Sequence, residues 1–162
     1  MKKRNTLTLI ILLFTFGAGF SIRPYADEAV PFPEGYRTWA HIKTGLIGPT
    51  SPGFKTAGGF HHIYANDKAM AGYTIGSFPE GSIIVFDVLE AIESNGNTIE
   101  GKRRHIDVMI KDSIRYSKTG GWGYEEFKGN SKTERVLTDT VRTQCFNCHT
   151  SQKDYVFSSL RE

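Results

Sequence analysis

An α+β fold, with a mostly antiparallel β-sheet and a few short helices, is what this sequence predicts, and three observations predict it. Two long runs rich in β-branched residues, Ser82 to Ser94 and Thr98 to Asp112, are separated by Asn95-Gly96. That dipeptide favours the two-residue turns that join antiparallel strands, because both positions accept positive φ. Shorter strand-like segments lie on either side of this pair, set off by Gly- and Pro-containing turns. A polar stretch of helical character, Thr138 to Gln144, comes late in the chain with no parallel-sheet pattern beside it.

Taken in order, Pro31-Phe32-Pro33-Glu34 opens a short helix that runs to about Trp39, with proline fixing the first turn. His41 to Ile47 reads as a strand, and Gly48 to Gly59, rich in Pro, Gly and Ser, as a loop. Phe60 to Ala65 is a second strand, after which Asn66 or Asp67 caps a short helix to about Tyr73. Gly76-Ser77-Phe78-Pro79-Glu80-Gly81 is a turn leading into the long hairpin. Trp122 to Lys128 is a shorter strand after Gly120-Gly121, the polar helix follows, and Val156-Phe157 closes the chain.

The first residues read as a leader rather than as part of this fold. Met1-Lys2-Lys3-Arg4 is basic, Leu7 to Phe20 is apolar, and small or polar residues follow. This is the pattern of an export signal, too short for a comfortable membrane span, with cleavage expected after Ser21 or as late as Ala26. The alternative is an uncleaved N-terminal anchor. Residues 27–162 then form a single exported domain, expected in the periplasm, and are enough to bury one core. Lys2, Lys3 and Arg4 account for the whole excess of 20 basic over 17 acidic residues, since residues 1–21 contain no acid. The remainder is balanced in charge, which argues against a nucleic-acid or acidic-membrane partner.

Chemistry concentrates in Cys145-Phe146-Asn147-Cys148-His149. The spacing C-x-x-C-H is that of covalent c-type haem attachment. On a helix the three side chains share one face, so two thiols can bond the haem while the imidazole binds its iron. A structural zinc site needs about four ligands, and the chain has only two cysteines. A thioredoxin-like redox pair belongs beside a βαβ pattern that is missing here, and a disulfide across two residues closes too small a loop to stabilise much. One covalent haem c is therefore expected, with Cys145 and Cys148 as attachment points and His149 as the metal ligand.

Strand parity supplies the opposite wall. Ile106, Val108 and Ile110 point to one face and read as core, whereas His105, Asp107, Met109 and Lys111 point to the other. The second set reads either as a solvated face or as a half-polar cavity over a haem, in which Asp107 can take or give a proton. His61 and His62 are consecutive in a strand, so at most one can face the haem. His61, His62 or Met109 could serve as a sixth iron ligand, and Met70 more simply packs on its helix. Lys102-Arg103-Arg104 reads as a solvated face that could offer a partner to a haem propionate, and Trp39 and Trp122 as core or dimer contacts.

The chain resembles the cytochrome P-460 family, including its cytochrome c′-beta branch, from about Gly35 to Arg161. The matching segments are Tyr36-Arg37-x-Trp39, Phe60 to Asn66, Gly76 to Ser82, Val108 to Asp112, Gly121 to Tyr124, Cys145 to His149 and Asp154 to Phe157. The resemblance implies a small periplasmic mono-haem protein, usually a homodimer, whose antiparallel sheet carries a haem with one open axial side. Hydroxylamine-oxidising members add a lysine–haem bond and a distal carboxylate. The c′-beta members lack that bond, have a Phe-rich distal face and bind nitric oxide. Here the lysine position falls on Phe86, and the carboxylate position on Asp107, one methylene shorter than the family's Glu. Phe86 and Met109 are accordingly expected to line the haem. The function expected is binding of nitric oxide or a related small nitrogen ligand, with slow redox turnover as a further possibility and a separate redox partner. A six-coordinate electron carrier is the alternative.

Overall fold

The computed structural model describes residues 29–161, so the expected leader lies outside the described residues. Five strands form one sheet in the order β1-β2-β3-β4-β5, each antiparallel to its neighbour. They are β1 (Ala40–Ile47), β2 (Gly59–Ala65), β3 (Ile83–Ser94), β4 (Asn97–Lys111) and β5 (Trp122–Lys128). Helix α1 (Phe54–Ala57) links β1 to β2, α2 (Asp67–Ile75) links β2 to β3, and α3 (Asp139–His149) follows β5. Among the described residues no helix is long and apolar enough to cross a membrane.

The α+β class and the antiparallel sheet expected from the sequence are both present. The β3–β4 hairpin turns on Asn95 and Gly96, with φ of 52° and 78°. These are the positive values that a two-residue turn of matching twist requires. Asn66 starts α2 and ties it to the hairpin: its Oδ1 accepts from Ala69 N at 2.9 Å and from Ile83 N at 3.0 Å, and its Nδ2 donates to Gly81 O at 3.0 Å. Gly76, at φ 79°, stops the helix two residues beyond the expected end.

Three expectations need correcting. The helix from Pro31 to Trp39 is only a single 3-10 turn, Tyr36–Thr38, because Gly35 takes a left-handed φ of 70° just before it. The Gly48 to Gly59 loop contains the four-residue α1, held by Arg104, whose guanidinium donates to the carbonyls of Phe54, Lys55 and Gly58. Arg103 is not part of a solvated face either. It donates from Nε to Asp87 Oδ1 at 2.6 Å and from Nη2 to Oδ2 at 3.1 Å.

The sheet packs on both sides. One face buries Val85, Ile106, Val108 and Phe127 under the N-terminal segment that carries Val30 and Tyr36, with Trp39 beside them. The other buries Ile42, Ile63, Ala65, Ile84, Trp122 and Tyr124, and Phe86, Met109, Cys145, Phe146 and Tyr155 pack against it. Ile106 and Val108 thus occupy core, and Met109 turns toward the helix that bears the cysteines. Both tryptophans are accounted for by packing, Trp122 being fully buried.

Candidate functional site

Helix α3 places the two cysteines and the histidine. Thr138 caps its start, accepting from Val141 N at 3.4 Å, and Asp139 sits in the first turn, where a negative charge complements the helix dipole. Buried Glu125 on β5 anchors the helix to the sheet. Its Oε2 accepts from Arg142 Nη2 at 2.8 Å and from Arg135 Nη1 at 3.0 Å. Arg142 Nε also donates to Tyr124 O at 3.3 Å. Cys145 is half-buried and Cys148 exposed, and both are free thiols. Burial raises the Cys145 pKa, and the carboxylates of Asp107 and Glu126 raise it further.

His149 has one ring nitrogen committed. Its Nδ1 lies 2.6 Å from Tyr155 O, and since a carbonyl only accepts, Nδ1 carries the proton. Nε2 is then the unprotonated nitrogen, the form in which imidazole binds a metal. Burial lowers the pKa of the ring against the raising effects of that hydrogen bond and of Asp107, so it is neutral at pH 7. Tyr124 and Phe157 flank the imidazole, with ring centroids at 5.2 Å and 4.9 Å.

Register assembles the facing wall. Phe86 on β3 pairs with Asp107 on β4, which pairs with Glu126 on β5; one step along, Ile84, Met109 and Tyr124 align in the same way. Next to Asp107 on the same side, His105 Nε2 lies 3.5 Å from Asp107 Oδ2. Ligand-capable atoms of His105, Asp107 and Glu126 lie within 4.8 Å of one another. Burial and then the Asp107 charge raise the Glu126 pKa. For His105, burial pulls downward, but the hydrogen bond to Asp107 and the nearby acids carry the pKa above the usual imidazole value.

The consecutive histidines separate as strand alternation requires. His61 stacks on Phe86, with centroids 4.7 Å apart and ring planes inclined by 18°. His62 instead meets Thr44 Oγ1 at 2.8 Å and Glu100 Oε1 at 2.7 Å. Burial, followed by the charges of Lys43 and His62, lowers the His61 pKa.

A family model, described as cytochrome P460, matches residues 33–158. The chain belongs to the cytochrome P460 family. A search of curated proteins finds no match.

As a cytochrome P460 chain it is a haem cytochrome, and its own residues fit that group. The thiols of Cys145 and Cys148 are unpaired, three residues apart on α3, and the free nitrogen of His149 completes the set. Two buried polar atoms on this side of the sheet, Tyr124 Oη and His61 Nδ1, have no protein partner. Buried polar atoms are normally satisfied, so such orphans mark a place where a further group is accommodated. The structure brings Phe86, Asp107 and Met109 onto one sheet face, against which Cys145 and Met70 pack, and the His149 ring meets Tyr124 on that same face. Sequence reasoning had no role for Tyr124, Glu126 or Asp154. Alternation along Trp122 to Lys128 could have placed the first two beside Met109 and Asp107.

Proposed function

We propose that this cytochrome P460 protein is an exported, single-haem c-type cytochrome whose iron, ligated by His149, keeps an open side that binds nitric oxide or a related small nitrogen ligand. The observation that carries the reading is the His149 hydrogen bond to Tyr155 O, which commits Nδ1 and leaves Nε2 as the unprotonated nitrogen, with the ring packed on Tyr124 on the face of the sheet that carries Phe86, Asp107 and Met109. Haem supplies a redox-active iron that binds small diatomic and nitrogenous ligands. Cys145 and Cys148 hold it through thioethers. Phe86, standing where hydroxylamine-oxidising relatives carry a lysine, offers no amine for a further covalent bond and limits ligand size. Asp107 can take a proton on a carboxylate oxygen or return it, with Glu126 and His105 in reach to exchange it. The missing amine weighs against hydroxylamine oxidation as the main activity, and slow redox turnover is left as a secondary one.

Optical spectra of the purified protein, ferric and ferrous, with and without nitric oxide, test the reading. A five-coordinate ferrous form that binds nitric oxide is expected. A low-spin, six-coordinate form that ignores both carbon monoxide and nitric oxide overturns it, and intact-mass analysis without a haem adduct overturns the covalent attachment. A second reading, an electron carrier with a sixth protein ligand, is favoured by one observation: His61 Nδ1 is buried, unpartnered and beside Phe86. It predicts a low-spin spectrum that His61→Ala converts to high spin. A periplasmic location, a homodimeric assembly and a separate redox partner belong to the same proposal. Fractionation, sedimentation and reduction assays check them in turn.

A further inference from the structure

The carbonyl that receives the His149 proton belongs to an unusual piece of backbone. Asp154 and Tyr155 both have positive φ, 44° and 63°, a region that non-glycine residues seldom occupy and that bulky ones avoid most. Such backbone persists only where its surroundings over-determine it. Here they do. Asp154 Oδ2 accepts from Phe78 N at 2.6 Å, and Oδ1 accepts from Lys111 Nζ at 2.9 Å and from Trp122 Nε1 at 3.4 Å. Lys111 Nζ also lies 5.1 Å from the centre of the Trp122 ring and 5.9 Å from that of Tyr155. The Tyr155 ring rests directly on Gly120, where an added Cβ would come within 2.3 Å of Cζ.

We infer that Asp154 and Lys111 are positioning residues for the proximal ligand. Together they clamp the Asp154-Tyr155 turn to β4 and β5, and so hold Tyr155 O against His149 Nδ1. The inference rests on His149 being the iron ligand, as proposed above. A hydrogen bond accepted from Nδ1–H makes the imidazole a stronger electron donor, and this kind of outer contact tunes both the bond to the metal and its reduction potential. The protein thus sets the donor strength of its ligand through an ion pair that touches neither the ligand nor the haem-binding thiols.

The test uses the holoprotein in four forms: wild type, Asp154→Asn, Lys111→Met and Lys111→Arg. The ferrous iron–histidine stretch is read by resonance Raman, and the midpoint potential by spectroelectrochemistry. Loss of the clamp weakens the imidazole donor, so the first two variants are expected to move the stretch to lower wavenumber and raise the potential. Lys111→Arg restores both toward wild type. A through-space charge effect behaves differently: removing the Asp154 charge raises the potential and removing the Lys111 charge lowers it. Opposite shifts, or wild-type frequency and potential in both variants, overturn the inference. A merely structural role lowers the melting temperature and leaves frequency and potential alone, which also overturns it. If His149→Ala keeps the wild-type spectrum, it is the ligand assignment that fails. If wild type is six-coordinate, only the open-site reading fails, because the potentials still decide the clamp.

Discussion

Asp87 and Asp107 lie on neighbouring strands one register position apart, and so on opposite faces of the sheet, where physical context gives them opposite tasks. Asp87 is fully buried on the face packed by the N-terminal segment, where it accepts from Tyr36 Oη at 2.8 Å, from the Arg103 fork and from Arg37 Nη1 at 3.2 Å. Burial first, and then the Asp87 contact, push the Tyr36 phenol far above its ordinary value, so it stays a donor at every physiological pH. Removing the acid strands a buried hydroxyl and an Arg103 side chain that is 16 % exposed. Asp87→Ala is therefore expected to cost about 3 to 5 kcal/mol, the range for breaking a buried ion pair from one side, measured by urea unfolding. Asp107 carries a 40 % exposed side chain beside His105 and facing the cysteine helix. Asp107→Asn should leave urea stability within about 0.5 kcal/mol of wild type, as surface changes usually do. It should instead slow any proton-coupled turnover of a bound nitrogen ligand, and a stopped-flow pH profile unchanged by the substitution would remove Asp107 from proton transfer.

At the scale of elements, what could be read from sequence was whatever rests on a local rule. The β3–β4 hairpin was legible because Asn95-Gly96 has little choice of turn, and α2 because Asn66 precedes a helical run. Parity on β4 separates Ile106 and Val108 from Asp107 and Met109 in the sequence alone, since alternation is a property of the strand itself. The N-terminal turn is shorter than expected because a proline-led start does not guarantee helical backbone from that residue on: Gly35, left-handed just before Tyr36, delays the start, whereas the expected end near Trp39 is within a residue of the observed one. Arg103 was misjudged because its partner, Asp87, is reached only through strand pairing. The Asp154-Tyr155 turn could not be read at all, because no local rule asks for positive φ at a tyrosine and the contacts that enforce it come from Phe78, Lys111 and Trp122. The Asn66 cap permits a prediction at this scale. Asn66→Ala removes acceptors for Ala69 N and Ile83 N together. It should cost about 1 to 2 kcal/mol, the upper part of the range for a cap, because Ile83 N at the start of β3 also loses its partner. Thermal unfolding of the variant checks it, and a loss within error of zero would show that water replaces the side chain at both sites.

For the whole molecule, the sheet divides labour between its faces. The side under Val30 and Tyr36 is closed by apolar packing and a saturated carboxylate, whereas the side under α3 keeps orphan polar atoms, free thiols and a cluster of titratable groups. The segment after α3 completes that second side, and Asp154 is its tether to the sheet. Burial alone would raise the Asp154 pKa, but the Phe78 amide, Lys111 and Trp122 outweigh it and hold the carboxyl below its ordinary value of 3.8. A folded pKa below the unfolded one means that the unfolded chain binds protons more readily, so acid favours unfolding. The stability this group contributes is fully present above the unfolded value and is lost as pH falls through the folded one. Melting temperature should therefore decline on acidification below about pH 4, where an ordinary aspartate begins to protonate. Asp154→Asn should melt lower than wild type at pH 7 and show a shallower decline over the acid range, because its tether no longer titrates. Parallel curves for the two proteins would mean that the acid sensitivity comes from carboxylates elsewhere, and that the segment bearing Tyr155 is held by packing rather than by charge.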